Sequence, residues 1–159
     1  MNKKAEDNFV IFWSNYKGRP KIYHIALSRN CKLFPNSTIA TSLEIDKFAN
    51  QIAEFLKGKN IRFNLSMLRL DLCSVFQRKV LRAVASVPRG KTSTYQLIAK
   101  RLGKPNSARA VGMALAANPF PIVIPCHRVI CSDGALGGYQ GGSRMKKNLH
   151  KKELEFSVV

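Results

Sequence analysis

The chain has 159 residues, 45% of them hydrophobic, and 27 lysines and arginines stand against 9 aspartates and glutamates for a formal charge of +18. That is enough apolar material for one domain or two small ones, which excludes an intrinsically disordered chain. No apolar run reaches the ~20 residues of a membrane span. The N-terminal lysines lead into Ala5-Glu6-Asp7 instead of a signal-peptide core, and Cys31, Cys73, Cys126 and Cys131 have no paired spacing, so a soluble, cytoplasmic protein with reduced thiols is expected.

Two alternating apolar segments, residues 8–13 and 21–28, predict strands joined by a turn at Lys17-Gly18-Arg19-Pro20. His24 lies in this hairpin without catalytic company and reads as structural. Asp46 is a candidate N-cap for a helix to about Lys57, with Phe48, Ile52, Phe55 and Leu56 on one face and Gly58 ending it. Ile61, Phe63 and Leu65 alternate as a further strand. Residues 1–66 thus form a small α/β unit, with 67–75 as a linker before a second unit over 76–159.

The texture then changes. From Val75 to Val87 apolar residues recur at helical spacing and stop at Pro88-Arg89-Gly90. Thr94 is suited to cap a helix from Tyr95 to Leu102, with Gly103 as its stop. Asn106 or Ser107 is suited to cap another from Ala108 to Ala117. Two short helices joined this way form a helix-turn-helix candidate, although any αα-hairpin in a core has the same pattern. Between Asp71 and Asp133 there is no carboxylate, yet Arg78, Lys79, Arg82, Arg89, Lys91, Lys100, Arg101, Lys104, Arg109 and Arg128 fall there. An ion-pair-rich surface would need acids as well, so this imbalance points to a polyanion such as DNA or RNA. The second helix has almost no long polar side chains, and Ala110, Ala114 and Ala117 share a smooth face thinned by Gly112. That suits a close, sequence-tolerant minor-groove contact, the alternative being tight packing on a neighbouring helix.

The apolar run Ile122 to Ile130 reads as a buried strand interrupted by Pro125, Cys126, His127 and Arg128. Polar groups there must be hydrogen-bonded, so these side chains are expected in one network. Cys126 is a candidate nucleophile and His127 its base; on an extended chain they point to opposite faces, so a bend or a bridging water must connect them. The carboxylates C-terminal to Asp71 that could orient His127 are Asp133, Glu153 and Glu155, and Asp133 is explained as the turn residue of Ser132-Asp133-Gly134. A helix from Ser143 to about Glu155 closes the chain.

The segment Ile124-Pro125-Cys126-His127-Arg128-Val129 resembles the active-site signature of the O6-alkylguanine-DNA alkyltransferases, or methylated-DNA-protein-cysteine methyltransferases. The resemblance runs from about Phe76 to Glu153, and it implies a ribonuclease H-like α/β N-terminal domain (a small antiparallel sheet with a helix) before a mostly α domain with a winged helix-turn-helix-like motif. It implies that Cys126 accepts the alkyl group, that His127 and Glu153 support it, and that Asn118 in Asn118-Pro119 is a hinge. Tyr95 in Thr94-Tyr95-Gln96 is implied to press on the target phosphate, and Arg109 in Ala108-Arg109-Ala110-Val111-Gly112 to replace the extruded base. Ala110, Gly112 and Arg128 join these as expected DNA contacts. Pro121, Val129, Gly137, Tyr139 and Gln140 are expected around the guanine, Tyr139 lying in Gly137-Gly138-Tyr139-Gln140-Gly141-Gly142. Two positions depart from the family pattern: Leu154 follows Glu153 where Gly is frequent, and Gln140 stands where a small residue is frequent. The implied partner is double-stranded DNA containing O6-alkylguanine, bound by a monomer or cooperatively, with no cofactor, metal or membrane. Alternatives are a binder of alkylated DNA that does not repair it, and a Cys-His hydrolase.

Overall fold

A hairpin organises the first part of the chain. In the computed structural model, which describes residues 2–6, 9–27, 38–39 and 41–155, strands β2 (Phe9–Tyr16) and β3 (Arg19–Leu27) pair antiparallel. The turn is Lys17-Gly18 alone, both with positive φ (51° and 75°), the geometry that matches strand twist in a two-residue hairpin. Arg19 and Pro20, expected in the turn, therefore belong to β3; Pro20 is tolerated because β3 is an edge strand. A strand not foreseen, β1 (Asn2–Glu6), pairs antiparallel with β2, and β4 (Thr38–Ile39) adds parallel to β1, for the order β3-β2-β1-β4. Asn8, Ser28 and Cys31 lie outside the described residues.

Helix α1 (Leu43–Leu56) starts earlier than expected, with Ser42 at the N-cap, and Asp46 sits with Glu44 inside the first turn, where carboxylates suit the positive end of the helix dipole. Ile45, Phe48, Ala49, Ile52 and Phe55 are buried along one face. Residues 61–65 are not a strand. Phe63 instead packs its ring 5.7 Å from Phe48 and 5.8 Å from Phe55, so its burial comes from α1 and not from a ladder. Leu68 and Arg69, in the expected linker, are buried. The Arg69 backbone bonds to Ile22, and its guanidinium donates to the Tyr23 hydroxyl at 3.0 Å and stacks 3.7 Å from the Tyr16 ring centroid.

The chain forms two compact units, Met1–Arg69 and Leu70–Val159. In the second, α2 (Val75–Ala85) buries Val80, Leu81 and Val84 and is capped by Ser74, whose Oγ accepts from the Gln77 amide at 3.2 Å. Helix α3 (Tyr95–Arg101) is capped by Thr94, with Oγ1 accepting from Leu97 at 3.1 Å; α4 (Ala108–Ala116) begins after Ser107, whose side chain makes no capping bond. Gly103, at φ 70°, turns the chain between them, and Gln96 fastens the turn by donating to the Pro105 carbonyl at 2.8 Å. Val111, Ala114 and Leu115 face inward from α4. The outward stripe is therefore Arg109, Met113 and Ala116, with Ala117 exposed beyond the helix end; of the small-residue face expected from the pattern, Ala114 is buried and Ala110 half-buried.

Within Ile122–Ile130 only Val129–Ile130 (β6) is a strand, paired parallel with β5 (Ser93–Thr94). The remainder is folded back: Ile122 adopts φ 74°, rare for a β-branched residue, and Cys126–Arg128 is a 3-10 turn. Ile122, Val123 and Ile124 are buried, so the apolar run reports burial correctly and strand wrongly. Because Thr94 both pairs with Ile130 and caps α3, the β5–β6 ladder ties the Cys126 turn to the helix pair. Helix α5 (Ser143–Glu155) follows.

Candidate active site

Asn118 builds the cysteine turn. Its side-chain oxygen accepts from the Phe120 amide at 2.9 Å, and its amide donates to the Ile124 carbonyl and to Cys126 Sγ, each at 3.3 Å. Fully buried, it satisfies the backbone of a strained loop while orienting the thiol. Cys126 is itself buried, and burial pushes its thiol up; the Asn118 bond, the Lys146 charge and the Cys126 and His127 amides pull the other way. The resting sulfur is consequently a protonated thiol that needs a base.

His127 is fully buried, and burial holds its pKa below the ordinary value against the opposing pull of Glu153. Its Nε2 lies 2.8 Å from Glu153 Oε1. Burial pushes the Glu153 carboxyl up, but hydrogen bonds and charges from His127 and Arg128 outweigh it and hold the pKa at about 2. An ionised carboxylate can only accept, so Nε2 carries the proton and Nδ1 keeps the lone pair needed by a base.

Arg128, expected at the DNA, is turned inward. Its Nε donates to both Glu153 oxygens at 3.2 and 3.0 Å, Nη2 donates to Oε1 at 2.9 Å, and Nη1 donates to the Val87 carbonyl at 2.6 Å. A guanidinium so occupied reinforces the carboxylate and is not available to a phosphate.

Cys126 borders a cavity of about 430 Å³ that it shares with Tyr95, Gly112, Leu115, Ala116, Gly138, Tyr139 and Gln140. Gln140 ties the loop to the end of α4 by donating to the Ala116 and Asn118 carbonyls at 3.0 and 2.7 Å. The buried Tyr139 hydroxyl reaches no hydrogen-bond partner among the described residues, and burial raises its pKa well above the ordinary 10. Gly137 lies behind Tyr95: at φ 67°, a Cβ there would come within 2.9 Å of the Tyr95 hydroxyl and 3.3 Å of Cys131 Sγ. Pro121 and Val129, expected in the pocket, do not line it. Pro121 is buried in a bridge with Ile124, and Val129 is fully buried with its carbonyl turned to Lys146. A second, shallower depression of about 550 Å³ crosses α4 outside, where Arg109 and Met113 lie with Tyr95, Gln96, Cys131 and Ser132. Ala110, half-buried, borders neither.

Two residues of α5 were missed. Lys146 is fully buried and donates to the carbonyls of Val129 at 2.7 Å, Gly138 at 3.4 Å and Leu136, pinning the loop that carries Tyr139. His150 sets its ring 6.3 Å from that of His127, edge-on at 83°. The signal for both was available: Lys146, Leu149, His150 and Glu153 recur at i, i+3, i+4 and i+7, the spacing of a buried helical stripe. Among the described residues no group of three His, Cys, Asp or Glu side chains is placed to hold a metal ion, and no helix is long and apolar enough to cross a membrane.

A thiol beside a purine-sized cavity, backed by an imidazole-carboxylate pair and walled by a cationic helix pair, makes this a group-transfer protein with a cysteine nucleophile. Residues 75–155 match the family described as 6-O-methylguanine DNA methyltransferase, DNA binding domain. The methylated-DNA-protein-cysteine methyltransferase of Methanothermobacter thermautotrophicus is 46% identical over 129 residues, 81% of this chain and 72% of that one. The bifunctional transcriptional activator/DNA repair enzyme Ada of Escherichia coli is 40% identical over 68% of this chain, which spans 31% of Ada's length. Among solved structures, Mycobacterium tuberculosis OGT in complex with DNA superposes with a TM-score of 0.77 at 26% identity, covering 97% of this chain and 92% of that one. The chain belongs to the methylated-DNA-protein-cysteine methyltransferase family.

Proposed function

We propose that this protein repairs duplex DNA by moving the alkyl group of O6-alkylguanine onto its own Cys126, once per molecule and without a cofactor. The observation that carries the reading is Cys126 Sγ, held by Asn118 at the edge of a cavity whose wall is α4 itself. A cavity of about 430 Å³ accepts a purine but no duplex, so the nucleotide must leave the stack, at a cost of a few kcal/mol.

The thiol proton passes to His127 Nδ1 through an intervening water, and the imidazolium that forms is stabilised by Glu153. The thiolate attacks the alkyl carbon; the S–C bond forms, the C–O bond breaks with its electrons staying on guanine O6, and the guanine anion takes a proton from solvent as His127 releases the one it accepted from the thiol. The thioether has no good leaving group, so the protein is consumed. Tyr139, whose buried hydroxyl lacks a partner among the described residues, offers the purine a polar contact.

In this reading α3 and α4 are the helices of a winged helix-turn-helix with the β5–β6 ladder beside them, and the first unit is a ribonuclease H-like domain. Supporting the finer assignment are the Gly103 turn and the four-stranded sheet with α1. Catalysis and DNA binding reside in 76–159, with 67–75 joining it to 1–66. The working form is a cytoplasmic monomer. Exposed Lys100, Arg101, Lys104 and Arg109 supply phosphate contacts, and Arg109, at the start of the outward stripe of α4, fills the space the flipped base vacates.

Intact-mass measurement after incubation with methylated duplex tests the reaction. One methyl equivalent per protein, on Cys126, is expected; no addition points to recognition without repair, and turnover of an acyl substrate to a hydrolase. Arg109→Ala is expected to slow repair of duplex DNA at least about tenfold, an effect of about 1.4 kcal/mol, while leaving the rate on free O6-benzylguanine within twofold. Equal losses on both substrates would remove Arg109 from the flipping step.

A further inference from the structure

His150 is a titratable group that the transfer just described does not use. Its ring meets the His127 ring edge-on, and Tyr139 makes a similar contact, 6.2 Å away at 80°. The buried His150 Nε2 has no partner among the described residues, and the His127 backbone beside the ring pulls the His150 pKa up without overcoming burial. The groups facing it are Lys146 and Glu153 from its own helix and His127 and Arg128 from the cysteine turn. Glu153 is the only anion in that set, and it is already engaged by His127 and Arg128.

We propose that His150 is a positioning residue for alkyl transfer: neutral, it braces the His127 imidazole, and protonated, it opposes the imidazolium that His127 must become. This rests on the proposed role of His127 as the base. The electrostatic argument is one of sign. A proton on His150 places a further cation among Lys146, Arg128 and His127, in a half-buried setting that screens it less than open water does. Both burial and the neighbouring cations favour neutral His150 near neutral pH. As pH falls, protonation of His150 removes a second contribution to rate beyond protonation of His127 itself.

The test is the rate of Cys126 benzylation by free O6-benzylguanine from pH 5 to 8, in the native protein and in His150→Leu and His150→Gln. Native rates are expected to fall in acid with a limiting slope approaching about two decades per pH unit, and both variants with a slope of about one. Because the chain has three histidines, NMR titration of His127 supplies an independent readout, and its midpoint should move to higher pH in both variants. A variant that merely loosened packing would lower the plateau and leave the native slope, whatever its effect on the midpoint, and an unchanged slope in both variants overturns the proposal. Native protein that takes up no alkyl group overturns the reaction as well, whereas native benzylation with unchanged slopes in both variants overturns only this role.

Discussion

A Cys126→Ser variant is expected to take up no alkyl group from methylated duplex while still binding it. The displacement at carbon needs a soft, deprotonated nucleophile, and a buried serine hydroxyl is far harder to ionise than a thiol already supported by Asn118 and Lys146. The fold should survive, since Asn118 can donate to a hydroxyl as it does to sulfur; the cost of burying the new polar group is about 1–3 kcal/mol if it is poorly paired. Intact mass and a gel shift on the same lesion-bearing duplex separate the two effects. Lesions cleared by the serine variant at the native stoichiometry would end the assignment of Cys126 as acceptor.

Glu153→Gln should have the next largest effect, and on two quantities at once. It removes the anion from a buried cluster and leaves Arg128 facing a neutral amide, a situation that costs about 3–5 kcal/mol. It also removes the charge that stabilises the His127 imidazolium, for an expected loss of about 10²–10⁴ in transfer rate. Adding Arg128→Met should recover much of the stability and none of the rate, since Arg128 supports the carboxylate and touches no reacting atom. Parallel recovery of both would place Arg128 in the chemistry.

The same cluster sets how acid acts on the native protein. Unfolded His127 binds a proton below its ordinary 6.5, but the folded residue resists it, so stability declines as pH falls through that value. Glu153 is held at about 2 against an ordinary 4.5, and its contribution, fully present above 4.5, is lost between about 4.5 and 2. Loss of stability in two stages, the first reduced in His127→Gln to what His24 and His150 contribute, since burial lowers their pKa values too, is the expected pattern in chemical denaturation.

The spacing of apolar groups and local caps determined much about this protein. Thr94 before Tyr95, Gly103 after Leu102, and the apolar repeat of α2 are interactions within a few residues of chain, and the helices form where those signals stand. Cys126 and His127 were legible together because they are adjacent in sequence, Asn118 came only from the family resemblance, and the absence of acids between Asp71 and Asp133 was visible without any fold. Only the tertiary structure decided the rest. Ile122 to Ile124 look like a strand because burial selects the same residues whether or not a ladder forms, and the turn at Ile122 is held by Asn118, Phe120 and the packing around them. Arg128 was expected in a hydrogen-bonded network but its partners were not legible, and Lys146 drew no reading, because a buried charge is tolerated only with partners, and theirs are Glu153 and the Val87 carbonyl for the one and the Val129, Leu136 and Gly138 carbonyls for the other, brought in by folding from 8 to 41 positions away.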